Sequence, residues 1–183
     1  MNLKNDLTLS KLNLSDKESV DFVHQTYIEA FPLSERRSFD IALSLHEDSA
    51  QKFSILLARK KDQMLGFFTF WDLGEFIFAE HFAIASVIRN SGVGQDVMDI
   101  FLSSQSKPIV LEVELPTTIL SERRIGFYQR LGFRLWGNVQ YHQPPYNKDG
   151  NPIPMKLMSF GNIDVAKNYI DIKNRIYSKV YNY

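Results

Sequence analysis

The stretch from Phe76 to Phe101 constrains the fold of this chain more than any other. Phe76 to Ile84 is rich in Phe, Ile and Ala, interrupted only by Glu80 and His81, and reads as a mostly buried strand. The turn Arg89-Asn90-Ser91-Gly92-Val93-Gly94 comes next. Val93, Val97, Ile100 and Phe101 then recur at helical spacing, with Gln95, Asp96 and Asp99 on other faces. A strand, a glycine turn and a helix start gather backbone N–H groups that lack intrahelical partners, with the positive end of the helix dipole behind them. Such a point cradles a phosphate or pyrophosphate. Gly92 and Gly94 carry no β-carbon, so a ligand can approach the main chain, and Arg89 can add a charge-assisted contact. An ordinary tight turn beside a solvated arginine would read the same way, so the assignment needs support from elsewhere in the chain.

That support is a resemblance. From Phe82 the chain runs Phe-Ala-Ile-Ala-Ser-Val-Ile-Arg-Asn-Ser-Gly-Val-Gly, which resembles the coenzyme A signature of the GNAT superfamily of N-acetyltransferases through its Arg-x-x-Gly-x-Gly core. Ser86 stands where many members have proline, and Asn90 where many have glycine; Asn tolerates positive φ better than most residues. A second block, Phe127-Tyr128-Gln129-Arg130-Leu131-Gly132-Phe133, resembles the Phe-Tyr-x-x-x-Gly-Phe element that follows the fifth strand in that superfamily. Ser121 and Arg124 stand where many relatives have asparagine and alanine. The resemblance spans roughly residues 5 to 160.

It implies an α/β fold with a central mixed, mostly antiparallel sheet flanked by helices on both faces, to which a C-terminal helix is appended. It implies acetyl-CoA as acyl donor, with no metal, and direct attack by a primary amine in a ternary complex. Coenzyme contacts are expected from Ala83, Ile84, Arg89, Asn90, Ser91, Gly92, Val93, Gly94 and Ser121. A backbone N–H near Ala83 or Ile84 would meet the oxyanion, and Tyr128 would protonate or hydrogen-bond the departing sulfur, as an un-ionised phenol can.

At 183 residues, with 44% hydrophobic and 13% aromatic content, the chain is long enough for one substantial core and short for two. One domain is expected over 1–183, its core in about 5–160 and a terminal helix in about 162–180. Lys plus Arg and Asp plus Glu number 21 each, so no global field favours nucleic acid or an anionic membrane. The absence of cysteine excludes disulfides, thiolate catalysis and cysteine-ligated zinc, and the four histidines show no metal-ligand spacing. No N-terminal segment resembles a signal peptide, and no run approaches the roughly twenty apolar residues needed to span a bilayer, so the expected location is cytoplasmic.

Along the chain, Leu7 to Leu12 alternates as a strand would, and Ser15-Asp16-Lys17-Glu18 matches a capping box for a helix with the stripe Val20, Val23, His24, Tyr27, Ile28 and Phe31. Pro32 interrupts that helix, and Ser34 is expected to cap a second one through about His46. Strands are expected near 53–59, 64–72 and 109–114, with a helix starting at Ser121 and capped by Gly132. Residues 133–142 and 153–160 read as a final antiparallel pair across a loop rich in proline and glycine. Helical spacing from Ala166 to Val180 gives a terminal helix that docks on the core or on a partner, a homodimer being one such arrangement.

An alkyl ammonium has a pKa near 10.4, so its neutral form is about one molecule in a thousand or fewer at pH 7, and something must take the proton. Glu80, Glu112 and Glu114 are the candidate bases. Glu80 comes first because a charge in an apolar strand is costly unless function, or a partner such as His81 or an arginine, compensates. Glu112 and Glu114 share one strand face, and a structural ion pair explains one of them equally well. Arg36, in Glu35-Arg36-Arg37, together with Glu114 and Tyr146 of the Pro-Pro-Tyr loop, is expected near the acceptor, although an exposed helix start and a plain turn explain the first and last as well. Two rival readings remain: a non-catalytic acyl-CoA-binding or sensor domain, and acetylation of a protein amine. A nucleotide-binding module ranks last, for no Gly-Lys-Ser/Thr triplet or Gly-x-Gly-x-x-Gly run is present.

Overall fold

Residues 6–89, 91–147 and 150–183 are described by the computed structural model of the chain. The elements are β1 (Leu7–Lys11), α1 (Lys17–Ala30), α2 (Phe39–Glu47), β2 (Phe53–Lys60), β3 (Gln63–Asp72), β4 (Ile77–Ile84), α3 (Val93–Ser104), β5 (Ile109–Glu114), α4 (Ile119–Arg130), β6 (Arg134–Leu135), β7 (Tyr141–Gln143), β8 (Ile153–Phe160) and α5 (Tyr169–Ile176). The strand order is β1-β2-β3-β4-β5-β8-β6, with β7 also paired to β8. This is the mixed, mostly antiparallel α/β sheet that the resemblance implies. Two compact units divide the chain: residues up to Phe70 with Glu80–Ser106, and Trp71–Ala79 with Lys107–Tyr183.

In the first unit β1 runs antiparallel to β2, from Leu7↔Lys60 to Lys11↔Leu56. Helix α1 is capped by Asp16, whose carboxylate accepts from the Ser19 N–H, whereas Ser15 donates its own N–H to Asn13 Oδ1. The expected Ser15 box is therefore displaced by one residue. The buried face is Ser19, Val23, Thr26 and Tyr27, and Ile28 of the expected stripe stands outside. Thr26 can be buried because its hydroxyl bonds back to Phe22 O (2.9 Å). Helix α2 begins at Phe39 under a Ser38 cap, not at Ser34; Leu33–Glu35 is a 3-10 turn, and Arg36 and Ser38 are extended. In the core Val97 of α3 joins Leu7, Ala58 and Leu65, flanked by Phe82, Ile84 and Ile88.

The second unit is built on β8. It pairs antiparallel with β5 from Ile109↔Phe160 to Glu114↔Met155, and carries both β6 and β7 on its other edge. The single strand expected over 133–142 is thus two short ones. Trp136 turns inward between them, donating its indole N–H to Ser159 Oγ (2.8 Å), and Lys156 Nζ satisfies the Gly137 and Val139 carbonyls. Gly132 ends α4 with φ +91°, as expected of a glycine past a helix C-terminus. The terminal helix is shorter than expected: α5 is followed by a π-helical turn over Tyr177–Tyr181. It docks on its own chain through buried Ile172, Ile176, Val180 and Tyr181, while Arg175 donates to Leu73 O (3.2 Å) and Tyr177 to His142 O.

Candidate active site

In the first unit the glycine turn has the geometry a phosphate needs. Gly92 is the N-cap of α3 at φ +84°, a conformation that side-chain-bearing residues rarely adopt. A β-carbon there would meet nothing within 4 Å, so the protein itself leaves that space open. The Gly92 carbonyl accepts from Gln95 N (3.0 Å) and Asp96 N (3.4 Å), and the N–H groups of Val93 and Gly94 precede the first intrahelical bond. The helix positive end and those two amides lie at the same terminus and are free of intrahelical partners. Gly94 itself needs no special dihedral: its β-carbon would lie 3.6 Å from Ile84, an ordinary contact. Arg89 lies across the turn with Nε on Ile84 O (3.0 Å), and Ser91 Oγ donates to Ile88 O (2.7 Å). Asn90 lies outside the described residues.

Upstream of the turn, β4 pairs in parallel with β5 only from Ile77↔Ile109 to Ala79↔Leu111. Ala83 and Ile84 lie beyond the last of these pairs. Facing them is Gly66 of β3, where a β-carbon would sit 2.2 Å from Ala83 O and 2.9 Å from Ile84 Cα. Only glycine allows so close an approach. Gly66 was not singled out from the sequence, although an isolated glycine inside a strand pattern is the signal for it.

Glu80, the first candidate base, is buried and paired. Its side chain is 2% exposed and Arg37, at 7%, donates to Oε1. Thr69 Oγ1 and His81 Nδ1 each lie 3.5 Å from Oε2. His81 donates its N–H to Thr69 Oγ1 (3.0 Å), and its Nε2 lies 3.0 Å from Glu35 O, which assigns the proton to Nε2. The Tyr27 hydroxyl donates to Arg37 O (3.3 Å); burial first, and the Glu80 charge second, hold that phenol well above its ordinary pKa. Arg36, expected near the acceptor, and its neighbour Arg37 both make contacts within the protein. Arg37 neutralises Glu80, and Arg36 bonds Phe31 O (2.9 Å) with its guanidinium over Tyr27 (5.5 Å).

In the second unit Tyr128 sits on α4 between Phe127 and Phe133, with ring centroids at 5.2 and 5.4 Å. Burial pushes its phenol up to about 12, so the hydroxyl is a proton donor at neutral pH. Among the described residues it makes no hydrogen bond. Ser121 is buried and its hydroxyl is committed to the helix cap, accepting from Thr118 N (3.1 Å) and donating to Thr118 O (2.9 Å). Thr118, not Ser121, is the N-cap, and the Ser121 hydroxyl is turned to it rather than to a coenzyme.

The two β5 carboxylates differ. Glu114 is paired with Arg124 at half-exposed positions. Half-buried Glu112 accepts two phenols: Tyr141 on Oε1, and Tyr181 on Oε2 at 2.8 Å. Tyr146 stacks on Tyr181 at 5.1 Å. Neither tyrosine on Glu112 was foreseen, since they lie 29 and 69 positions along the chain from it. Among the described residues no group of three or more His, Asp or Glu side chains is arranged to hold a metal ion, and no helix is long and apolar enough to cross a membrane.

No protein-family model matches the chain, and no curated protein does. Solved structures do. Those of a Vibrio cholerae spermidine N-acetyltransferase with CoA and spermine (16% identity, TM-score 0.63, 85% of this chain and 95% of that one) and of yncA from Salmonella typhimurium with acetyl-CoA (15%, 0.60, 87% and 96%) share its fold. A Bacteroides thetaiotaomicron protein assigned to the GNAT acetyltransferases is 36% identical at TM-score 0.90, covering 96% of this chain and 99% of that one. With the phosphate-type turn and the Phe-Tyr block in place, that similarity shows that the chain belongs to the GNAT family of N-acetyltransferases.

Proposed function

We propose that this protein transfers the acetyl group of acetyl-CoA to a primary amine of a small molecule, by direct attack in a ternary complex. The observation that carries the reading is the open, positive-φ Gly92 turn at the start of α3, which suits a pyrophosphate. Val93 and Gly94 would donate their N–H groups to it and Arg89 would add charge. A single N–H near Ala83 or Ile84, beyond the end of the β5 ladder, would hold the donor's carbonyl as it becomes an oxyanion.

The base moves from Glu80 to Glu112, because a carboxylate already buried against a guanidinium cannot accept a second proton-bearing cation without losing the first. Glu112 would take the ammonium proton directly or through water. The amine lone pair then adds to the thioester carbon, the attacking nitrogen sheds its remaining extra proton to water, and collapse of the tetrahedral intermediate breaks the C–S bond. Tyr128, an un-ionised phenol at neutral pH, would hydrogen-bond or protonate the sulfur that leaves and take its own proton back from water. The test is acetyl-CoA consumption and free-thiol release across polyamines, aminoglycosides, amino acids and peptides. Tight acetyl-CoA binding with no thiol release from any amine would favour a sensor domain.

A further inference from the structure

The C-terminal turn does more than fill space. Glu112 is the one carboxylate on β5 met by hydroxyls from two other elements, Tyr141 on β7 and Tyr181 on the π-helical turn, each on a different oxygen. We propose that Tyr141 and Tyr181 are positioning residues for acetyl transfer, their hydroxyls fixing the Glu112 carboxylate in one orientation so that the last turn of the chain is a working part of the enzyme. This rests on the reading of Glu112 as proton acceptor. Two donors on two different oxygens remove the free rotation of a solvated carboxylate and leave its remaining lone pairs directed.

The hydroxyls also favour the charged form, since a hydrogen bond to an ionised carboxylate is lost when it protonates. Tyr141 is placed to stay protonated: burial first and the Glu112 charge second raise it well above the ordinary phenol range. Among the described groups near Glu112, Tyr177, pushed up to about 12 by burial, edges Tyr141 at 5.8 Å; Glu114 on the same strand is paired with Arg124 of α4; and the β8 register partner of Glu112, Leu157, is apolar. Tyr146 supports the arrangement by packing on the Tyr181 ring.

The test uses full-length protein labelled with carbon-13 at glutamate carboxyls. Removing one donor, in Tyr181→Phe or Tyr141→Phe, should raise the Glu112 titration midpoint by about one pH unit. It should carry the acid limb of kcat/KM upward by the same amount, with spermidine or the best amine of the panel as acceptor. Tyr169→Phe loses a hydroxyl contact of the same terminal segment, to Gln140 O, without meeting Glu112, and should leave both curves in place. An unchanged Glu112 midpoint in both Tyr181→Phe and Tyr141→Phe overturns the positioning role, as does a loss of activity by one constant factor at every pH. Glu112→Gln at the wild-type rate instead refutes the base reading on which the role depends, so the two failures are told apart.

Discussion

Replacing Glu80 separates its two readings. Arg37 and Glu80 are an ion pair with side chains 7% and 2% exposed, packed with Thr69 and His81. In Glu80→Gln the guanidinium stays buried without its counter-charge, and in Arg37→Met the carboxylate does. Breaking one partner of such a pair costs about 3–5 kcal/mol, whereas exchanging both for apolar groups of similar volume is often close to neutral. For a chain of this size each kcal/mol is worth about 2–4 °C, so each single variant should melt roughly 6–20 °C below wild type. Arg37→Met/Glu80→Met should recover most of that, a coupling read directly from urea titrations of the four proteins. The reasoning fails if Glu80→Gln is as stable as wild type yet loses kcat/KM at neutral pH and regains it as alkaline pH deprotonates the amine. That pattern belongs to a base.

Gly92→Val imposes a side chain at φ +84° and fills open space at the α3 terminus, so calorimetry should show acetyl-CoA affinity falling at least tenfold in a protein that still folds. Tyr128→Phe should lower kcat at least tenfold with little change in acetyl-CoA affinity, because the hydroxyl acts on the departing sulfur; a full-rate variant reassigns it to packing. His46 accepts from Ile55 N–H at Nδ1 (3.0 Å) and donates from Nε2 to Leu12 O (2.9 Å), and burial lowers its pKa. The folded state therefore binds the proton more weakly than the unfolded chain, so stability is complete above about 6.5 and falls as pH drops toward the folded value. Urea midpoints at pH 7.5 and 5.5 should show that loss in wild type and a smaller one in His46→Leu; equal slopes would contradict it.

What the sequence revealed was local. The strand, glycine turn and helix over Phe76 to Phe101 could be read because each is set by neighbours in the chain, and the Gly132 cap by its own missing β-carbon. What escaped was long-range partnership. Glu80 looked like a base because an isolated carboxylate in an apolar strand has two explanations, and Arg37, forty-three positions away, supplied the structural one. The Tyr181 hydroxyl reaches Glu112 across 69 positions, a pairing no periodicity contains. Helix starts slipped for a smaller reason: Asp16, Ser38 and Thr118 each compete with a nearby serine that matches the same capping pattern. Gly66 was legible, since a lone glycine in a strand signals close backbone approach, and there the carbonyl of Ala83 fills the place of its side chain.

The central claim is acetyl transfer to an amine, and the most direct measurement follows both products of one reaction. Purified protein with acetyl-CoA and each amine of the panel is quenched over time, the free thiol is titrated, and the amine is weighed by mass spectrometry. The account predicts, for at least one small primary amine, one N-acetyl product for every thiol released, with both lost in Glu112→Gln and the thiol release slowed in Tyr128→Phe. Thiol release with no acetylated amine, or acetyl-CoA bound and left intact in the presence of every amine, would contradict it.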